Sequence, residues 1–308
     1  MKYMSKSFPD LEVHLLNRRI TCLTIPRVLE AILRSCRENR KLIVSSYNVN
    51  SFIHSMLSPW FYEFQQQTDI TLCDSMGILG TIRRMGLKLP IDYRVSYTLL
   101  MPKLLEMANY HSLSIFLLGA QPKNLQAALE RQKEYYPNIR LMGYHGYFTP
   151  EDKEQNNAVI NYINQAKPQI LVVGMGCPIQ EKWLHLNQQK LDVNIIMPGG
   201  AVIDRLAGIV PDCPSLLSNI SLEWLYRLCR EPRRMARRYL LGNPAFLLLI
   251  MLAKSSMKST DLLKFQPLSI SDLFRQRSQA DCIKVPNDTA SPALPSKQPG
   301  YKEFRRAQ

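Results

Sequence analysis

The stretches QILVVGMGCPIQEKW at 169–183 and NIIMPGGAVIDRLAG at 194–208 each pass from an apolar strand through a glycine turn into a helix start. Strands built of Ile, Leu, Val and Met without polar alternation must be covered on both faces, which a parallel sheet between two helical layers provides. The same alternation runs through most of the chain. Strands are expected at Leu42–Ser46, Ile70–Cys73, Ser114–Leu118, Ile139–Met142, Ile170–Val173 and Asn194–Met197. Helices are expected near 26–39, 50–66, 76–86, 98–111, 122–136, 151–166, 179–190 and 216–230. Pro122 and Pro178 fall where a first helical turn tolerates proline. The predicted fold class is α/β, a parallel sheet with helices on both faces, followed by a C-terminal basic amphipathic helical appendage.

Charge narrows the partners. The 308 residues carry a net charge of +14, which implies an acidic partner: anionic lipid, sugar nucleotide, pyrophosphate or nucleic acid. The charge is concentrated, because residues 223–239 hold six Arg against two Glu. There Leu222, Trp224, Leu225, Leu228 and Met235 share broad apolar helical faces, while Arg227, Arg230, Arg233, Arg234, Arg237 and Arg238 supply positive charge. The pattern suits a helix lying in a membrane interface; the alternative is a solvated basic face on a helix packed to the main domain. Six Arg without matching acids favour anionic lipid or phosphate, and the absence of a nucleic-acid motif argues against nucleic acid as partner. The apolar run at 245–253 has nine residues, short of the ~20 that cross a bilayer. No secretory signal pattern opens the chain. None of the seven cysteines forms a C-x-x-C pair, so buried thiols in a reducing compartment are expected. These features predict a cytoplasmic protein, peripheral on the inner face of the cell membrane. The expected divisions are an α/β domain at 1–215, an Arg-rich membrane-associating appendage at 216–254, and a disordered Ser-, Pro-, Gln- and Lys-rich tail at 255–308.

The chain has no D-x-D cluster, and its five His are dispersed without metal-site spacing. A phosphate ligand would therefore be met by helix N-termini and Arg, with no metal or cofactor expected. Gly174-Met175-Gly176-Cys177-Pro178-Ile179 lacks the third glycine of a dinucleotide fingerprint and by itself reads as a tight turn. Paired with Gly199-Gly200 after the next strand it suggests a pocket, because successive strand ends converge on one crevice. Asp74 follows the apolar run ITLC, placed either as a general base or, the safer assignment on sequence, as N-cap of the next helix. Ser46 and Asn48 follow the strand LIVS, where turn chemistry is the plain alternative to a site role. Gln180 opens a helix within reach of a ligand, Glu181 suits the macrodipole at that helix start, Trp183 fits packing, and Asp204 fits either the pocket or a backbone amide.

Taken together, FLLGAQP at 116–122, GYHGYF at 143–148, GMGCPIQEKW at 174–183, DRLAG at 204–208 and EWLYRLCREPRRMARRYLLGNP at 223–244 resemble the WecG/TagA/CpsF family of bacterial glycosyltransferases, over roughly Leu42 to Phe246. The resemblance implies a Rossmann-like fold and a cytoplasmic, membrane-associated, metal-independent inverting enzyme. Its partners would be a UDP-sugar donor and a polyprenyl-diphosphate-linked sugar acceptor, in the synthesis of wall teichoic acid linkage units, common antigen or extracellular polysaccharide. It places the family's T-x-N element on Ser46-Tyr47-Asn48, its proposed base on Asp74 and a substrate Arg on Arg94. Its S-P-x-Q-E motif falls on Cys177-Pro178-Ile179-Gln180-Glu181. The diphosphate-neutralising arginines fall on Arg227, Arg234 and Arg237. Gly174, Gly176, Gly199 and Gly200 would help hold the nucleotide. Ser75 stands where the family has Gly, and Cys177 where it has Ser; those departures keep a catalytically inactive nucleotide-sugar-binding scaffold as the alternative. Donor sugar, pathway and oligomeric state stay open, a homo-oligomer included.

Overall fold

The computed structural model describes residues 8–211, 213, 217, 223–256 and 262–273. One sheet holds the strands β1 (Leu11–Leu15), β2 (Arg18–Cys22), β3 (Leu42–Tyr47), β4 (Ile70–Cys73), β5 (Ser114–Gly119), β6 (Arg140–Tyr144), β7 (Ile170–Gly174), β8 (Ile195–Pro198) and β9 (Leu263–Pro267). Their order is β6-β5-β7-β8-β3-β4-β2-β1-β9. From β6 to β2 every neighbouring pair is parallel; β1 is antiparallel to both β2 and β9.

The period-two geometry of the strands explains the two-sided burial. Leu42, Val44, Ile115, Leu117, Ile170, Val172, Ile195 and Met197 point into one core. That layer is closed by α1 (Ile25–Arg37), α5 (Tyr97–Tyr110), α6 (Pro122–Tyr135) and the short α9 (Val202–Leu206). Ile43, Phe116, Leu118, Leu171, Val173 and Ile196 point the opposite way, against α3 (Pro59–Gln67), α7 (Lys153–Ala166) and α8 (Ile179–Asn187). A further cluster joins the β1–β2 hairpin to α2 (Val49–Leu57) and α4 (Met76–Arg84). After β5 the chain turns outward to β6, and after β7 it turns the other way to β8. The β5–β7 boundary is thus a topological switch point, where doubly wound sheets open a crevice at their carboxyl edge.

Three features depart from the expected layout. The helix expected over 50–66 is two helices, because Ser58 is extended (φ −131°, ψ 109°) and Pro59 starts α3 at its first position. The hairpin of β1 and β2 precedes the expected first strand, joined by Leu16 and Asn17, both at positive φ (49° and 60°). Within 255–308, expected to be disordered, residues 263–267 form β9 on the free edge of β1, and Ile270 and Leu273 enter the core. The physical reason is a short apolar pattern, Leu262-Leu263 with Leu268, Ile270 and Leu273, inside a polar surround. Gln266 donates to the buried Glu12 at 3.0 Å, which ties the edge further. Ile270→Val is expected to lower stability by about 1 kcal/mol, roughly 2–4 °C in melting temperature; an unchanged melt would mean that Ile270 is not packed.

Of the helix expected over 216–230, residues 216 and 218–222 lie outside the described residues; from Glu223 the basic segment is helical as α10 (Glu223–Arg230), α11 (Pro232–Ala236), a π-turn (Arg237–Leu241) and α12 (Gly242–Ser256). Phe246 (2% exposed) anchors α12, its ring edge-on to Phe52 of α2 at 5.5 Å, with Ile250 and Ala253 packing beside it. No helix among the described residues is long and apolar enough to cross a membrane.

Candidate active site

The carboxyl edge of the sheet gathers most of the residues singled out from sequence. Beyond β3, Asn48 caps α2 through a reciprocal pair: Ser51 N donates to Asn48 Oδ1 at 3.1 Å, and Asn48 N donates to Ser51 Oγ at 2.9 Å. The rest of the Asn48 amide faces the site, with Nδ2 3.5 Å from Asp74 Oδ2. Ser46 is half-buried at the same strand end, level with Leu72 of β4.

Asp74 lies one residue past β4, its backbone N–H donating to Tyr47 O at 2.9 Å. The cap of α4 is not Asp74 but Ser75, whose Oγ accepts from Ile78 N at 3.3 Å. This corrects the safer sequence assignment: the hydroxyl one residue later takes the N-cap position of α4. Ser75, a departure from the family pattern, therefore has a defined local role. Arg94 is buried, next to Val95, whose N–H donates to Cys73 O at 2.9 Å. The Arg94 segment is thus stitched to the end of β4, directly beside Asp74.

The glycines line the switch point. Gly119 has φ +148°, and a Cβ there would overlap the Gly174 carbonyl; the ends of β5 and β7 approach too closely for any side chain. Gly146, from GYHGYF, packs on Gly119 and donates to Ala120 O at 3.1 Å. Gly176 and Gly200 are left-handed (φ 87° and 62°), and both amides donate to Oε1 of Gln180, at 3.2 and 3.0 Å. Gln180 is 3% exposed and joins the two glycine turns from below. Two amides expected to face a nucleotide are therefore engaged within the protein, and Gln180 acts as a strut between turns. Gly174 and Gly199 flank this strut, with Gly199 N donating to Val173 O at 2.8 Å.

Glu181 follows inside the first turn of α8, 4% exposed, its Oε1 accepting from Gln180 Nε2 at 2.9 Å. Burial pushes its carboxyl up to about 7, against the hydrogen bond from Gln180 and the charge of Arg238. The Cys177 thiol, which receives Asn50 Nδ2 at 3.7 Å, is held well above its ordinary range by desolvation and by Glu181. Pro178 stands immediately before α8, not inside its first turn, and no side chain caps that helix start. Trp183 is core as expected; its indole N–H donates to Asn156 Oδ1 at 2.7 Å. Asp204 accepts from Asn124 Nδ2 at 2.8 Å, linking α9 to α6.

From the appendage, Arg238 Nη2 donates to Asn48 Oδ1 at 3.3 Å. Its charge also lowers the proton affinity of His54 on α2, after desolvation, and bears on Cys177 and Glu181. Arg238 therefore lies over the site, on the same Asn48 that touches Asp74. The side chains of Arg234 and Arg237 lie outside the described residues; Arg227 is half-buried on α10. Sequence reasoning weighed Arg238 only as surface charge, although its spacing of four from Arg234 puts both on one helical face. Glu181 was read as the last residue of the S-P-x-Q-E motif and as a macrodipole partner, with no signal of its burial, and Asn50 was not singled out.

A doubly wound α/β sheet with glycine turns at its switch point, a carboxylate at a strand end and an arginine laid over it from a basic appendage defines a protein built to act on an anionic ligand. The family model described as Glycosyl transferase WecG/TagA/CpsF family matches residues 13–260, and this chain belongs to that family: it is a glycosyltransferase. The match reaches past the stretch recognised from motifs at both ends, taking in the β1–β2 hairpin and all of α12. The chain is similar to the N-acetylglucosaminyldiphosphoundecaprenol N-acetyl-beta-D-mannosaminyltransferases of Staphylococcus aureus strains MW2, NCTC 8325 / PS 47 and MRSA252. Each is 30% identical over 198 residues, covering 64% of this chain and 75% of the relative.

Proposed function

We propose that this enzyme transfers a sugar from a UDP-sugar to a polyprenyl-diphosphate-linked saccharide, with inversion, at the cytoplasmic face of the membrane. The acceptor class follows the names of the relatives, whose acceptor is an undecaprenyl-diphosphate-linked N-acetylglucosamine. The observation that carries the mechanism is the Asp74 carboxylate at the end of β4, in contact with the Asn48 amide that Arg238 also reaches. Asp74 takes the proton of the acceptor sugar hydroxyl as that oxygen bonds to the anomeric carbon. The bond from this carbon to the UDP oxygen breaks on the opposite face, and its electron pair leaves with UDP. Asn48 and Ser46 position the acceptor beside the base. Arg238, with Arg227, Arg234, Arg237 and Arg94, stabilises the diphosphate as charge develops. Gly174 and Gly199, after β7 and β8, let Ile203 and Val202 pack close against the turns that would hold the donor.

The membrane assignment is supported by exposed apolar residues of the appendage. Leu240 and Leu241 in the π-turn and Leu247, Leu248 and Met251 on α12 are 43–66% exposed, in the segment that follows the arginines. An apolar strip beside concentrated positive charge suits an anionic bilayer surface.

The test is UDP release from a panel of UDP-sugars with a short-chain polyprenyl-diphosphate-N-acetylglucosamine or -glucose acceptor, run with EDTA. Acceptor-dependent release from one donor is expected and names the sugar. UDP binding without release from any pair would favour the inactive nucleotide-sugar-binding scaffold.

A further inference from the structure

We propose that Glu181 is a positioning residue of this site: its carboxylate oxygen fixes the Gln180 amide in the orientation that ties the glycine turn after β7 to the glycine turn after β8. The inference deepens the glycosyl-transfer reading and rests on it for its consequence, though not for its geometry.

A buried carboxamide has two orientations that differ only by exchanging donor and acceptor. In the orientation present, Gln180 Oε1 accepts from Gly176 N and Gly200 N, and Nε2 donates to Glu181 Oε1. Reversed, the NH2 group would oppose two backbone donors, and the carbonyl oxygen would oppose the carboxylate. Glu181 is the side chain on which Nε2 ends. The carboxyl is buried, and the hydrogen bonds from Gln180, from the Cys177 thiol and from its own backbone N–H offset only part of its desolvation. An apolar residue of similar size would avoid that cost but leave Nε2 without an acceptor. The two turns that Gln180 joins belong to adjacent strands, β7 and β8, and a shift of either would move the floor on which the donor diphosphate rests. The polar and charged groups facing Glu181 are Gln180 and Cys177 beside it, Tyr97 from α5 and Arg238 from the appendage.

The experiment is a reciprocal exchange in the full-length chain, read by UDP titration and by hydrogen exchange at the Gly176 and Gly200 amides. Glu181→Leu is expected to weaken UDP binding about tenfold and raise the donor KM alike, with kcat changed less than about threefold. Gln180→Glu alone sets a carboxylate against Glu181 and is expected to weaken UDP binding by a similar factor. Adding Glu181→Gln to Gln180→Glu restores binding to within about threefold of wild type, because the amide introduced at position 181 donates to the carboxylate introduced at position 180. Both single variants should expose the two glycine amides to faster exchange, and the double variant should protect them again. A merely structural role would not be rescued by the exchange. A double variant no better than Gln180→Glu, or a Leu variant with wild-type binding and protection, overturns the proposal. Should Glu181→Leu not fold, the exchange pair decides alone. Wild-type protein that binds no UDP would overturn the donor reading, and the amide exchange would still decide the role of Glu181.

Discussion

Asp74→Asn is expected to lower transferase turnover about 10³-fold while leaving UDP binding within a few-fold of wild type. The substitution keeps volume and shape, so β4 and the Ser75 cap of α4 stay in place. Asn48 Nδ2 can still meet the oxygen of the new amide, as it meets Asp74 Oδ2 now. What disappears is the capacity to take a proton and the negative charge that favours its transfer. In the proposed mechanism the donor is held instead by the glycine turns and the arginines, so its affinity should be largely untouched. Initial rates at saturating donor and acceptor, set beside UDP titrations, separate the two effects. Full turnover in the Asn variant would remove Asp74 from the role of base. Equal loss of turnover and UDP affinity would instead make it a donor-binding residue.

What the sequence made legible divides along physical lines. Five of the six expected strands, β3, β4, β5, β7 and β8, were evident because each is largely apolar and closed by a turn or a polar residue, and they are buried on both faces; β6, at the sheet edge, carries the exposed Arg140. The pairing of the turns at Gly174-Gly176 and Gly199-Gly200 was legible, since glycines after successive strands converge at one sheet edge, and Gln180 joins them there. The hairpin of β1 and β2 was hidden because its turn uses Leu16 and Asn17 at positive φ, without the glycine that announces such turns. Strand β9 was hidden by composition: five residues that pair with β1 lie in a segment whose average is that of a disordered chain. Asp74 was assigned to a cap because Asp and Ser cap helices equally well, and only the backbone decides which of two adjacent residues does so. The arginines show the same limit. Arg237 and Arg238 lie ten and eleven residues from Arg227, both within one helical face, and the π-turn beginning at Arg237 breaks the regular period there. Glu181 was beyond reach from sequence, because a carboxylate near a helix start is ordinarily solvated, and only packing shows it buried.

That burial gives the second large effect. Glu181→Gln is expected to raise stability relative to wild type by less than about 1 kcal/mol near pH 5 and by roughly 3 kcal/mol at pH 8.5. In the folded chain burial pushes the Glu181 carboxyl up to about 7, from an ordinary value of 4.5. Between those values the folded state holds a proton that the unfolded state has released. Wild-type stability therefore falls as pH rises: the contribution of the neutral acid is fully present below about 4.5 and lost through about 7. The amide of the variant has no proton to lose, so every other titrating group cancels in the difference between the two proteins. Urea midpoints of both at pH 5 and pH 8.5 measure it directly. A gap of the same size at both pH values would show that Glu181 is ionised in a solvated setting, with no desolvation to relieve. Arg238 sets the sign of a further check. Its charge draws the Glu181 carboxyl down, so Arg238→Ala should steepen the wild-type loss of stability with pH, and Glu181→Gln should abolish that steepening. The appendage arginine and the buried carboxyl are then coupled beside the Gln180 strut that carries the glycine turns, joining the charge of Arg238 to the proton on Glu181.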